Sequence, residues 1–231
     1  MTTTQRLDLY APIHKALRLF MADTLTRLGR LEVDCAAERS QVLAQLQELL
    51  QECESHLRHE NEFVHTALEA RRPGASARIG AEHEGHVDAI AGLQAEGQAL
   101  AQQPSAAAAL HLYRRLSRFV AENFEHMLEE ETRHNALLWE LYSDAELEAL
   151  HQRLLASIPA DEMLRTLRWM VPALSPAERA GLLGGMPPPV RQVVLEHVQP
   201  HLDAHGWSKL CAAVGAPAVV PLPPHVTPVS A

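Results

Sequence analysis

QVLAQLQELLQECESHLRHENEFVHTALEA, residues 41–70, sets Val42, Leu46, Leu49, Cys53, Leu57 and Val64 on one stripe at the three-and-four spacing of an α-helix. Ala67 and Leu68 continue the stripe, so the segment predicts one long helix from about Asp34 to Ala70, ended by Arg71-Arg72-Pro73-Gly74. Two polar residues share the buried arc. His56 and Glu60 stand four apart, which places an imidazole one turn from a carboxylate on the same face. His59, Glu62 and His65 fall outside the arc or at its edge. A second step of the same kind, His126-x-x-x-Glu130, recurs later in the chain.

Three further long helices follow from the same periodicity. The first runs from about Leu9 to Gly29, with Tyr10, His14, Leu17, Met21, Leu25 and Leu28 on its stripe. The third, about Ala75 to Gln102, carries Ile79, His83, Val87, Ile90 and Leu93, with His86 on the same stripe. Pro104-Ser105 then breaks the chain before the fourth, about Ala106 to Tyr142. That helix buries Leu112, Leu116, Phe119, Val120, Met127, Leu137, Leu138 and Leu141, and its arc also includes His126, Glu130 and His134. Four such helices joined by short breaks predict an up-down-up-down four-helix bundle over residues 1–142. Counted from the shared ends, the inward histidines and glutamates fall in the same half of it.

Beyond Tyr142 the signals are terminal ones. Ser143-x-x-Glu146 and Ser175-Pro176-x-Glu178 read as capping boxes. Short helices are expected near 144–157, 160–171, 176–184, 188–203 and 207–214, making a C-terminal helical extension over 143–215. Residues 216–231 hold five prolines and no helical pattern, and are expected to form a flexible or extended tail.

Composition narrows the class. The 231 residues are 47% hydrophobic but only 4% aromatic, and Ala, Leu, Glu, Gln and Arg dominate, so the fold is expected to be all-α. The formal charge of −9 is spread without a Lys/Arg block, which argues against nucleic acid as a partner. Cys35, Cys53 and Cys211 show no paired spacing and read as reduced thiols of a cytoplasmic protein. Neither a signal-peptide stretch nor an apolar run of membrane length is seen, so no membrane association is expected.

A lone histidine or glutamate in a helix stripe is most simply a hydrogen-bonded core residue, because burial is costly without a partner. His14, His56, Glu60, His83, His86, His126 and Glu130 together put many polar groups in one small volume, and cations orient such groups far better than they orient each other. Imidazole with carboxylate and no thiolate suits iron, manganese or zinc. The donor number exceeds one tetrahedral zinc site and fits two metals bridged by carboxylate.

At His14, His56-Leu-Arg-His-Glu60 followed by Asn-Glu-Phe-Val, Glu82-His83, and His126-Met-Leu-Glu-Glu130, the chain resembles the hemerythrin-like (HHE cation-binding) domain over about residues 8–142. The resemblance implies a four-helix bundle holding a non-haem di-iron centre, two Fe ions bridged by oxygen and by carboxylates. It implies His14, His56, His83 and His126 as terminal ligands and Glu60 and Glu130 as bridges. Two departures stand out. The last helix has His126 to Glu130 where oxygen carriers have a five-residue step to Asp, and His83 and His86 are three apart around Gly85 rather than four. If His86 does not bind, one iron is less saturated and more open to exogenous ligands.

Other readings compete. A ferritin-like site would need Glu-x-x-His twice. The strings Glu62-Phe-Val-His65 and Glu131-Thr-Arg-His134 exist, but Glu62 and His65 phase outward and Glu131 lies at the rim. Tyr10 and His134 are candidates for hydrogen bonding around the site or for plain packing, His197, His201 and His205 read as a solvated face, and Cys53 reads as core. The functions expected are binding of O2, peroxide or a related small ligand for sensing, scavenging or iron-linked stress response. The alternatives are a peroxide-degrading enzyme and an iron-state-dependent interaction module, with a homodimer through the C-terminal helices as one arrangement.

Overall fold

The computed structural model describes residues 6–216, and every regular element among them is helical. α1 spans Ala11–Gly29. Asp8 accepts the backbone N–H groups of Tyr10 and Ala11 (both 2.9 Å), so the helix opens at Ala11 rather than Leu9. Pro12 sits in the first turn, where its missing N–H is not needed. α2 is α-helical over Ala36–His59, π-helical over Glu60–His65 and α-helical again over Thr66–Arg71. α3 is Ala77–Gln102. α4 runs as Ala106–Glu129, a π-helical Glu130–His134 and Asn135–Leu141, and Ser105 caps its start by accepting from Ala108 N.

Both interruptions begin at the glutamate of a His-x-x-x-Glu step. A π turn closes i→i+5 hydrogen bonds, so the residue five positions on lies over its start as the fourth does in an α-helix. This corrects the phase of His65, expected outward: an α-helix would set it about 140° round from Glu60, whereas here it is buried beside that residue's face.

α1 packs on α2 and α4, and α3 packs on the same two helices. Leu17 and Met21 of α1, Leu46 and Leu49 of α2, Ile90 and Leu93 of α3, and Leu116 and Phe119 of α4 form one apolar cluster. Tyr10, Val64, Leu68, Leu138 and Leu147 form a second cluster at the other end. Along α1, α2 and α4 the inward histidines and glutamates lie between the two. Val87, expected in the α3 stripe, is exposed, because the inward arc runs Ile79, His83, His86, Ile90, Leu93.

Five shorter helices follow: α5 (Asp144–Ser157), α6 (Ala160–Ala173), α7 (Pro176–Gly184), α8 (Pro188–Val198) and α9 (Ala204–Val214). Both expected capping boxes are formed, with the Ser143 and Ser175 side chains on the N–H groups of Glu146 and Glu178. The helix expected over 188–203 stops at Val198, since Pro200 turns the chain through a short 3-10 segment, Gln199–His201. Asp203 caps α9 through Gly206 N (2.6 Å), which starts it at Ala204 rather than 207. The proline-rich segment expected to be a tail lies, from residue 217 on, outside the described residues.

α6 lies along α1, with Trp169 stacked on Phe20 at 4.0 Å between centroids and 12° between planes. Arg168 pairs with Glu48, Thr166 donates to Glu52 (2.5 Å), and Lys15 of α1 pairs with Glu178 of α7 (2.5 Å). Leu167, Val171, Leu183, Val194 and Trp207 form a small core of their own. Among the described residues no helix is long and apolar enough to cross a membrane.

Candidate metal centre

Between the two apolar clusters, imidazoles from all four long helices turn toward Glu60 and Glu130. On one side stand His14 and His56. His14 Nε2 lies 3.5 Å from Glu60 Oε1 and 3.5 Å from Glu130 Oε2, and His56 Nε2 lies 3.2 Å from Glu60 Oε1. On the other side stand His83 and His126. His83 Nε2 is 3.5 Å from Glu60 Oε2 and 3.7 Å from Glu130 Oε1, and His126 Nε2 is 3.5 Å from Glu130 Oε2. His14, His56, Glu60 and Glu130 therefore make one group able to hold a cation, and Glu60, His83, His126 and Glu130 make a second. Both carboxylates are shared.

The outer ring nitrogens are tied down. His14 Nδ1 donates to Glu131 (3.1 Å), which Arg18 also holds, His126 Nδ1 donates to Glu82 (2.9 Å), and His83 Nδ1 donates to Asn61 Oδ1 (2.8 Å). A carboxylate or amide oxygen can only accept, so the proton of each neutral ring is fixed on Nδ1 and each Nε2 presents a bare lone pair to the interior.

Whether a cation suits the centre can be judged from the atoms themselves. His14 Nε2, His56 Nε2 and all four oxygens of Glu60 and Glu130 are buried without a hydrogen-bond partner. His83 Nε2 and His126 Nε2 face each other at 3.0 Å, although both rings already donate through Nδ1. With the rings neutral, so many buried acceptors have no donor among them, which is costly; the deficit is one of positive charge, which a metal ion, or a proton taken up by His14, supplies. The donor set is all nitrogen and oxygen, with Cys53 away in the core, and this fits iron or manganese and also accommodates zinc.

The electrostatics of the groups follow from the same crowding of buried acceptors. Burial alone would depress His14, but its hydrogen bond to Glu131 and the negative charges of Glu60 and Glu130 outweigh burial and lift the imidazole to about 9. Burial drives His56 well below the ordinary histidine value, helped by neighbouring His14. Burial and the nearby Glu130 raise Glu60, whereas burial at Glu130 is overcome by the adjacent imidazoles of His126, His83 and His14, which hold it well down. Glu131, although partly desolvated, is held at about 2 by His14 and Arg18.

The remaining candidates are placed differently. His86 is buried at the edge of the centre, packed edge-on against His126 (4.8 Å between centroids, 79°), and belongs to neither group. His134 accepts from Tyr10 Oη through Nδ1 (3.4 Å), and the Tyr10 ring lies 5.3 Å from that of His14. Glu62 is exposed and Glu131 is taken by His14 and Arg18, so neither string of the ferritin-like reading brings a carboxylate to a metal group. His197, His201 and His205 form no metal group among the described residues. Sequence reasoning missed His65, which stacks on His83 (4.8 Å, 17°) and forms a third group with Glu130 and His134. It also missed Asn61, Glu82 and Glu131 as anchors. The only local signal for these was adjacency: Asn61 follows Glu60, Glu82 precedes His83, and Glu131 follows Glu130.

Comparison with protein families finds the Hemerythrin HHE cation binding domain over residues 7–138. Comparison with curated proteins and with solved structures gave no match.

Proposed function

Because the chain belongs to the hemerythrin HHE cation-binding family, we propose that it is a cytoplasmic non-haem di-iron protein that binds O2, peroxide or a related small ligand. In this reading α1 to α4 form an up-down-up-down bundle around the centre, and the role is sensing, scavenging or an iron-linked stress response. His14 and His56 would hold one ion, His83 and His126 the other, and Glu60 and Glu130 would bridge them. Two ferrous ions, when bound, supply the two electrons that O2 or peroxide accepts.

The protein's own part is positional. Glu131, Glu82 and Asn61 fix three imidazoles in the ligating tautomer, so little reorganisation is needed on loading. The flanking apolar clusters keep bulk water from competing for the buried carboxylates. Tyr10 and His134 stand as a hydrogen-bonded pair at the inner end, available to orient a polar ligand.

The observation that carries the reading is the sharing of both carboxylates by two imidazole pairs. Iron analysis and the visible spectrum of the purified chain test it. Two irons per chain, with a charge-transfer band altered in His56→Ala, are expected; an iron-free protein whose spectrum is indifferent to that substitution would refute it.

A second reading, peroxide breakdown at the same centre, is favoured by the position of His86 outside both groups, which leaves the His83 group at four residues without the fifth donor that His86 would have added. Oxygen evolution from added peroxide by the iron-loaded protein is expected if it holds, and no turnover at full loading rejects it.

A further inference from the structure

We propose that small ligands reach the centre through the cleft between α3 and α4, and that His86 stands at its inner end as a polar contact for the incoming molecule rather than as a metal ligand. This rests on the di-iron reading above and assigns its ligand a path and a side.

The cleft has a volume of about 710 Å³, and its wall includes Gly85, His86, Ala89, Phe119, Glu122 and His126. It leads from the solvent-exposed Glu122 to the ring of His126, one of the two imidazoles of the second group. The other three surface clefts described have no member of either group in their walls. Access is thereby directed to the His83 side of the centre.

His86 is held there by packing alone, edge-on to His126 and to Phe119 (6.0 Å, 74°). Its Nδ1 is buried and has no hydrogen-bond partner. A buried polar nitrogen without a partner is costly, and a molecule entering the cleft can supply what the protein does not. Gly85 precedes it in the middle of α3. A side chain added there would meet nothing within 4 Å, so no packing neighbour demands the glycine, although glycine weakens a helix interior. Its absent side chain leaves the passage open.

The rim arginines are paired, Arg78 with Glu82 and Glu129, Arg115 with Glu96, and Arg118 with Glu122, and two further wall carboxylates, Asp88 and Glu125, add negative charge. Such a mildly acidic mouth disfavours multiply charged anions. It fits a small neutral or singly charged molecule that can share a single hydrogen bond, the class of O2 and hydrogen peroxide.

The test uses the full iron-loaded chain, with azide as the probe and stopped-flow absorbance as the readout. Gly85→Leu, which fills the passage, should slow azide association at least tenfold while leaving two irons per chain and the equilibrium affinity within twofold. Gly85→Ala, too small to fill it, should keep the wild-type rate and controls for altered helix stability. His86→Ala should keep both irons and weaken azide binding about fivefold to tenfold, with partial recovery in His86→Gln. An unchanged association rate in Gly85→Leu overturns the route. Loss of one iron in His86→Ala overturns the assignment of His86, and unchanged azide affinity in that variant does the same. Absence of iron from the wild-type chain shows before azide is added, and it overturns the di-iron reading itself and this inference with it.

Discussion

Replacing Glu131 by alanine removes the acceptor that orients His14 without touching either proposed ion pocket. The contact is a charge-assisted hydrogen bond of 3.1 Å from His14 Nδ1 to a carboxylate whose side chain is 20% exposed. Hydrogen bonds to charged groups contribute about 1.5–3 kcal/mol, which corresponds to about tenfold to 150-fold in an equilibrium constant. Loss of a partner behind a metal-binding histidine typically weakens binding by about 10–100-fold, so two independent lines give the same range. Arg18, which also holds Glu131, is half-buried and free to turn to solvent, so its loss of a partner adds little.

The effect should be confined to one side. His126 is anchored by Glu82 and His83 by Asn61, and Glu131 touches neither. Competition titrations with a chromophoric chelator are therefore expected to show two sites in Glu131→Ala, one at wild-type affinity and one weakened about 10–100-fold. Glu131→Gln keeps an acceptor oxygen and is expected to recover most of the difference. Equal wild-type affinity at both sites in the alanine variant would refute the claim that the anchor positions His14. Equal weakening at both would refute the claim that the centre has two separable halves.

Other expectations follow from burial and charge. Glu60→Leu should bind no more than residual metal, yet in the metal-free state it should be more stable than wild type by about 1–3 kcal/mol by urea unfolding, because a buried unpartnered carboxylate is replaced by an apolar group; a metal-free variant less stable than wild type would contradict it. Trp169→Ala removes a half-buried ring stacked on Phe20 and should cost about 2–3 kcal/mol, below the range for a fully buried tryptophan; a change under about 0.5 kcal/mol in chemical denaturation would show that α6 does not brace α1. Glu178 is held at about 2 by Lys15 and by the Ser175 cap, below its ordinary 4.5. Its contribution is thus present above about pH 4.5 and lost as pH falls toward 2. At 39% side-chain exposure it is worth about 0.5–1 kcal/mol, so Glu178→Gln should be less stable by that amount at pH 7 and indistinguishable near pH 2; a gap that persists in acid would mean the pair is not its source.

What the sequence made legible was periodic. The apolar stripes of α1 to α4 repeat at 100° per residue, and His14, His56, Glu60, His83, His126 and Glu130 can be phased against them from spacing alone. Helix starts in the C-terminal part were equally readable, since Ser143 and Ser175 announce themselves by a glutamate three residues on. The rest escaped for two physical reasons. A π turn has no side-chain signature, so an α-helical rule misplaces the residue five positions past its start, and His65 was lost that way although Val64 and Leu68 keep the expected face. Hydrogen-bond anchors depend on which neighbouring helix comes close and at what height. Asn61 looks like a surface polar residue until α3 brings His83 to it, and Glu131 looks like part of an acidic run until α1 brings His14. The register of α6 along α1 belongs to the same class, because nothing in residues 160–173 names Phe20 as the partner of Trp169.

The seating of α6 on α1 also bears on how the protein is made. α1 leaves the ribosome well before α6, and Phe20 on it is covered by Trp169, a residue synthesised about 150 positions later. At translation speeds of about 5–20 residues per second, that face waits on the order of ten seconds or more for its cover. Nascent chains stalled before residue 160 should consequently be the form that chaperones engage and that aggregates, whereas release of a chain only slightly longer ends the exposure.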